Sequence, residues 1–174
     1  MIATPERTIR LVSSLSDEEL QTLQGWGSDI YGGDYLHLTW REKTWHFLCY
    51  EGTQLVGKAS VLKHEVVVGG RAVIVGGVGG VVTVPAAQHR GHATALLRHL
   101  VGFLKNELAV PFGLGICFER LVPFYERLGW RRVSDKVYIH QASGRMECPM
   151  TTVTLACDDE PWPEGFVDIG SEPW

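Results

Sequence analysis

The sequence predicts an α/β or α+β protein built on a mostly antiparallel sheet, and three observations carry that prediction. Short β-rich runs outnumber helical ones. The turn signals Glu51-Gly52 and Gly69-Gly70 separate neighbouring runs at hairpin spacing. Strand and helix alternate only in the second half of the chain.

Each element has its own reason. Thr8–Val12 alternates as a first strand, and Ser16-Asp17-Glu18-Glu19 is a capping box that opens a helix through Leu20 and Leu23. A second helical turn is expected over residues 36–44. Trp45–Tyr50 and Leu55–Lys63 read as paired strands, followed by a hairpin of Glu65–Val68 and Arg71–Val75. Gly76-Gly77 reads as a flexible turn between or within strands. Val78–Val84 is a buried run closed by Pro85, which has no amide to give to a ladder. Thr94–Leu108 is the clearest helix, with Leu97, Leu100, Val101, Leu104 and Leu108 on one stripe and Pro111 just beyond. Phe112–Phe118, a short helix Leu121–Leu128 stopped by Gly129, and strands Val133–His140 and Thr151–Ala156 complete the pattern.

At 174 residues, with 45% hydrophobic and 21% charged residues, the chain reads as one domain, 1–174, with ample core material. Charges break up the first twenty residues, so no secretory signal is expected. The longest apolar stretch, Ala72–Ala87, holds four Gly, Thr83 and Pro85, and is no membrane span. Four cysteines without a CxxC fit a reduced, cytoplasmic chain. Net charge is −4, but 156–174 hold six acids and no Lys or Arg, leaving 14 acids against 16 bases elsewhere. Nucleic acid is not expected as a partner, because no acid-free basic stripe exists. The acidic segment 156–174, folded over a site, would attract a cationic ligand.

Chemistry concentrates where the Val81–Val84 strand runs through Gln88-His89-Arg90-Gly91-His92-Ala93-Thr94 into the amphipathic helix. Such a loop aims successive amides at a phosphate, helped by the helix N-terminus, and Arg90 stands where it could add charge. Gly91 and Ala93 allow close approach. No GxxxxGK[ST] occurs, and the Gly76–Gly80 cluster lacks the third Gly and following helix of a dinucleotide site. His89 and His92 lack a third ligand at suitable spacing, so no metal is expected.

Gln88-x-x-Gly91-x-Ala93 after a Val-rich strand resembles the acetyl-CoA pyrophosphate loop of the GNAT N-acetyltransferases, with pattern Q/R-x-x-G-x-G/A. Phe124-Tyr125-x-x-x-Gly129-Trp130 resembles the family's second signature. The resemblance implies a mixed, mostly antiparallel sheet splayed beside Val84, with helices on both faces. It also implies acetyl-CoA as cosubstrate and direct acetyl transfer to a primary amine. Val82, Thr83, Val84 and the 88–94 loop would bind acetyl-CoA, with a backbone N–H near Val82 facing the thioester oxygen.

A narrower resemblance spans nearly the whole chain. Gly33-Asp34-Tyr35 followed by Trp40, and the Glu172-Pro173-Trp174 end, look like the aminoglycoside 2′-N-acetyltransferases. It implies an aminoglycoside-like acceptor, an antibiotic-resistance role, and acceptor contacts at Asp34, Trp40, Gly80, Glu172 and Trp174. Tyr125 falls on the general acid. This chain departs from that pattern at Thr39, where the group has a second acid, and at Gly79, where it has the Glu base. Gly79 is kept as an acceptor-site position, and Glu119 is the nearest replacement base by topology. Two alternatives stay open: another amine acceptor (a polyamine, amino sugar or peptide), or a non-catalytic acyl-CoA- or aminoglycoside-binding module. A homodimer is expected by analogy with the family.

Overall fold

The structure, a computed structural model, describes residues 6–174. Strand β1 (Arg7–Val12) leads into helix α1 (Asp17–Gly25). The capping box forms as expected: Ser16 Oγ accepts from the Glu19 amide at 3.2 Å, and the Glu19 carboxylate accepts from the Ser16 amide at 2.8 Å. The helical turn expected over 36–44 lies earlier, as a single 3-10 turn at Asp34–Leu36. His37, in the left-handed region at φ 52°, ends it.

Strand β2 (Trp45–Glu51) pairs with β1 and with β3 (Gln54–Val68), which turns at Gly69-Gly70 into β4 (Arg71–Thr83). Both hairpins read from the sequence form, but Leu55–Lys63 and Glu65–Val68 are one strand, β3, which the two hairpins share, and Arg71–Val75 runs on without a break into Val78–Thr83. Gly76 and Gly77 sit inside β4, not at a turn. A Cβ at Gly76 would collide with Leu104 on one face, and at Gly77 with the Trp174 ring on the other. Close packing from both sides, not flexibility, explains this pair.

Helix α2 (His92–Asn106) crosses to β5 (Phe112–Cys117), and a 3-10 turn (Glu119–Leu121) leads into α3 (Val122–Glu126). Then come β6 (Arg131–Arg132), the hairpin β7 (Val137–Gln141) and β8 (Gly144–Glu147), β9 (Thr151–Ala156) and β10 (Val167–Asp168). The strands form one curled mixed sheet in the order β6-β9-β5-β4-β3-β10-β7-β8, with β2 and β1 branching from β3. Only β4–β5 and β10–β7 are parallel.

The helices lie on both faces, as expected. Leu96, Leu97, Leu100 and Leu104 of α2 are fully buried with Phe47, Cys49 and Val61 beneath them. Each such leucine contributes about 1.5–3 kcal/mol of burial. Tyr125 and Trp130 join the same cluster. On the other face α1 is tied to β2 where the Tyr50 hydroxyl donates to Glu19 at 3.0 Å. There the second cluster, including Val75, Phe112, Leu114 and Ile139, closes around Trp174.

The parting of β4 and β5 positions the site. They pair only from Val75–Phe112 to Val78–Gly115 and separate from Gly79 onward, earlier than the expected Val84. A register shift is responsible: Lys58 opposes Val82 and Ser60 opposes Gly79, so Ala59 faces both Gly80 and Val81. Gly80 takes φ +60°, and the bulge bends β4 away from its parallel neighbour.

Candidate active site

The loop between β4 and α2 is held from behind. Gln88 Nε2 donates to the Thr83 carbonyl at 3.0 Å, and a 3-10 turn over Pro85–Ala87 follows. His89 (φ 63°) and Gly91 (φ 79°) are both left-handed. Gly91 caps α2 without a side chain, so the first amides of the helix have no partner of their own. A Cβ on Gly91 would meet nothing closer than Arg7 Nη2 at 3.7 Å. The space in front of the loop is open, and the arrangement suits a diphosphate.

Arg90 and His92 face away from that space. Arg90 donates to Glu51 at 2.9 Å and to the Ala86 carbonyl at 2.8 Å. The His92 ring is buried between Arg7, Cys49 and Glu51. Arg7 Nε can only donate, so His92 Nδ1 accepts from it at 3.1 Å and Nε2–H donates to Glu51 at 2.8 Å. Burial works against the Glu51 charge, but hydrogen bonds from His92 and Arg90 outweigh it and hold its carboxyl below the ordinary carboxylate range. The charge expected of Arg90 therefore braces the loop to β2, and His92 serves through its backbone. Of the strand residues, Val82 is buried on the part of β4 that β5 has left. The Thr83 carbonyl is taken by Gln88, and the Val84 amide donates to Val56 at 2.9 Å.

A cavity of about 400 Å³ passes through the gap between the strands. On the α3 side it meets Tyr125 and Cys117; on the far side it meets Gly79, Gly80, Asp34 and Trp40. Tyr125 is 5% exposed, with its ring set edge-on to Phe124 and Trp130 at 5.4 and 5.6 Å. Burial, with Cys117 adding to it, holds the Tyr125 phenol well above its ordinary value, so it keeps its proton at neutral pH. Burial also pushes the Cys117 thiol up to about 11, which leaves it a neutral small core residue and no nucleophile.

Residues 35–133 match the model of the acetyltransferase (GNAT) domain. The chain belongs to the GNAT acetyltransferase family. It is thereby an acyl-CoA-dependent N-acetyltransferase. No curated protein matches it by sequence. Among solved structures, the GNAT enzyme YhbS of Escherichia coli, in complex with CoA, superposes with TM-score 0.65 at 14% identity, over 96% of this chain and 91% of that one. A GNAT acetyltransferase of Brucella melitensis, in complex with acetyl-CoA, gives 0.56 at 17%, over 92% and 94%. The ribosomal-protein-S18-alanine N-acetyltransferase of E. coli gives 0.57 at 16%, over 90% and 97%. A longer GCN5-related N-acetyltransferase from Kribbella flavida gives 0.50 at 18%; 72% of this chain matches 33% of that one.

Within this GNAT fold the acceptor face differs from expectation at several residues. Asp34 and Trp40 line the cavity, both exposed at its rim. Glu172 does not line it. The Trp174 ring is 1% exposed, donates Nε1–H to the Leu114 carbonyl at 3.1 Å, and lies edge-on to His64. Docking in the core, not stacking on a ligand, is what that ring does. Only the end of the acidic segment reaches the site, and two of its acids pair elsewhere. Asp168 holds Arg145 and His140, and Glu160 holds Arg71.

Of the two positions tied to the base, Gly79 lines the cavity as expected, whereas Glu119 needs correction. A Cβ at Gly79 would lie 2.5 Å from the main-chain carbon and oxygen of Trp174 and 3.1 Å from Lys43 Cε. Trp174 fills the place of a side chain there, so the glycine is required. Glu119 is outside the cavity; its carboxylate accepts from Thr151 at 2.6 Å and from Arg132. Those two partners hold its carboxyl below the ordinary range, which unsuits it as a base at neutral pH.

Sequence reasoning missed Lys43, His46 and Lys58, which line the same cavity. Burial first, then the like charge of Lys58, lowers the Lys43 pKa to about 8. Burial also lowers Lys58 and His46. One signal was available: Lys58 is a lone charge in the apolar run Leu55–Leu62.

Among the described residues no helix is long and apolar enough to cross a membrane, and no group of three or more His, Cys, Asp or Glu stands together as a metal site.

Proposed function

We propose that this protein moves the acetyl group of acetyl-CoA to a small primary amine that enters from the face opposite α2. One observation carries the reading: a single cavity is lined both by Tyr125, whose ring packs in the core, and by Gly79, Gly80, Asp34 and Trp40 of the acceptor face, beside the gap between β4 and β5.

Acetyl-CoA as substrate supplies an activated acyl carbon and a thiolate leaving group. The amides of Gly91, His92, Ala93 and Thr94 would hold its diphosphate, and the freed edge of β4 near Val82 its pantetheine arm and thioester oxygen. Holding amine and thioester together does much of the work, and no covalent enzyme intermediate is needed. The amine nitrogen bonds to the acyl carbon, the carbon–sulfur bond breaks, Tyr125 gives its proton to the departing sulfur, and the proton the nitrogen sheds goes to solvent, from which the phenol is restored. The amine must arrive neutral. With no carboxylate side chain at position 79, the charge of Lys43 beside that position does part of the task, since a like charge favours the unprotonated amine.

Asp34 and Trp40 at the rim support an amino-sugar acceptor, whereas Glu172 and the Trp174 ring give no such support. The test is thiol release from acetyl-CoA across 2′-amino and 2′-hydroxy aminoglycosides, polyamines and simple amines. Release with at least one amine is expected. Binding of acetyl-CoA without release from any amine would favour the binding-module reading and overturn this one.

A further inference from the structure

One part of the acceptor wall is cationic. Around the space that a side chain on Gly80 would fill stand Tyr31 Oη at 3.6 Å, Lys58 Nζ at 3.7 Å and Ser60 Oγ at 3.9 Å. Lys58 and Tyr31 line the cavity and carry hydrogens to donate, whereas Ser60 is fully buried behind them with its hydroxyl bonded to His46 Nδ1 at 2.8 Å. Lys43 and Arg41 line the same cavity, and Arg41 is turned toward His64 at 2.7 Å. No carboxylate side chain lies within ion-pair distance of Arg41, Lys43 or Lys58 among the described residues. The cavity's own acids, Asp34 and Glu42, are exposed at its rim. Lys58 stands at the bulge without an ion pair among the described residues, and the Glu42 charge acts on it only from beyond ion-pair distance.

We infer that the acceptor carries an anionic group close to its amine, and that Lys58 and Tyr31 hold that group in the nook above Gly80. This rests on acetyl transfer at the site proposed above. A polycation would bring like charge against Lys43 and Lys58, in a partly buried place where such repulsion is weakly screened. An anion there gains charge-assisted hydrogen bonds and restores charge balance. The glycine at position 80 belongs to the same design. It takes the left-handed backbone of the bulge and leaves the nook vacant. Lys58 is therefore a specificity residue, one that reads the acceptor and not the acyl group.

The experiment compares kcat/KM of the wild-type protein on matched acceptors. One series sets α-amino acids against their amides and against diamines of equal length; a second sets an amino sugar against its phosphate ester. The anionic member should win by roughly 10- to 100-fold, the range expected of a charge-assisted contact. The two series tell carboxylate from phosphate. Lys58→Met should erase the preference mainly through KM, and Lys58→Arg should keep most of it, with acetyl-CoA binding by calorimetry unchanged in both. A win for amides or diamines would overturn the inference. So would a Lys58→Met variant that lowers kcat equally on every acceptor, since the lysine would then act on the reacting carbonyl. Absence of thiol release from all acceptors is a separate failure, of acetyl transfer itself.

Discussion

Two glycine-bearing regions flank the reaction gap, and they are glycine for opposite reasons. Gly91, in the donor loop, has open space around it and needs glycine for its left-handed backbone. Gly77 and Gly79, on the acceptor side of β4, have ordinary strand conformations and no space: Trp174 fills the room. The first region is specified by neighbours in sequence. The second is specified by residues nearly a hundred positions away. A glycine in a motif therefore says little until it is known whether it frees the backbone or makes way for another group.

The largest expected effect lies in the gap between these regions. Tyr125→Phe should lower kcat by about 10²–10⁴-fold, the usual weight of a general acid, with little change in acetyl-CoA affinity or melting temperature. Since burial holds the phenol above its ordinary value of about 10, the alkaline fall in kcat should begin only above that pH. A fall centred below pH 9 that vanishes in Tyr125→Phe would break this assignment.

On the acceptor side, Trp174→Ala removes a fully buried ring and should cost about 3–5 kcal/mol in chemical denaturation. Gly77→Ala should cost about 1–3 kcal/mol by overpacking against the same ring. The two should not add, because shrinking the ring makes room for the methyl group. Strict additivity in the double mutant would show that Gly77 is glycine for some other reason.

On the donor side, Gly91→Ala puts a methyl group into open space and should cost only about 1–2 kcal/mol of backbone strain. Its larger effect should appear in acetyl-CoA affinity, read by calorimetry. A loss of stability matching that of Gly77→Ala, with affinity intact, would erase the contrast. The smallest effect is expected from Glu119→Gln, which should leave kcat unchanged because the carboxylate lies outside the cavity with Arg132 and Thr151.

How legible each part was follows from the range of the interactions that build it. The capping box at Ser16–Glu19, the α2 stripe and the Gln88–Ala93 loop depend on residues within a turn or two, and all were readable. Small terminal strands were not: β8 and β10 are stabilised by pairing with β7 and β3, and β10 has only two residues to show for it. The joining of Arg71–Val75 and Val78–Thr83 into one strand, β4, was hidden by Gly76-Gly77, which locally resemble a turn. At the site, Tyr125 and the loop followed from motif spacing. Glu119 was misplaced because topology puts it near the gap while Arg132 draws its carboxylate outward.

The sequence by itself determined the fold family, the Gln88–Ala93 loop and the place of Tyr125 in its motif, because each rests on local backbone geometry or on a short stretch of residues. Only the tertiary structure decided the acceptor side. It brought Lys58 from β3, Tyr31 from the loop after α1, Gly79 and Gly80 from β4 and Trp174 from the far end of the described chain to one wall. The signs of those charges become a statement about a ligand only once folding has removed their solvent and set them around the same space.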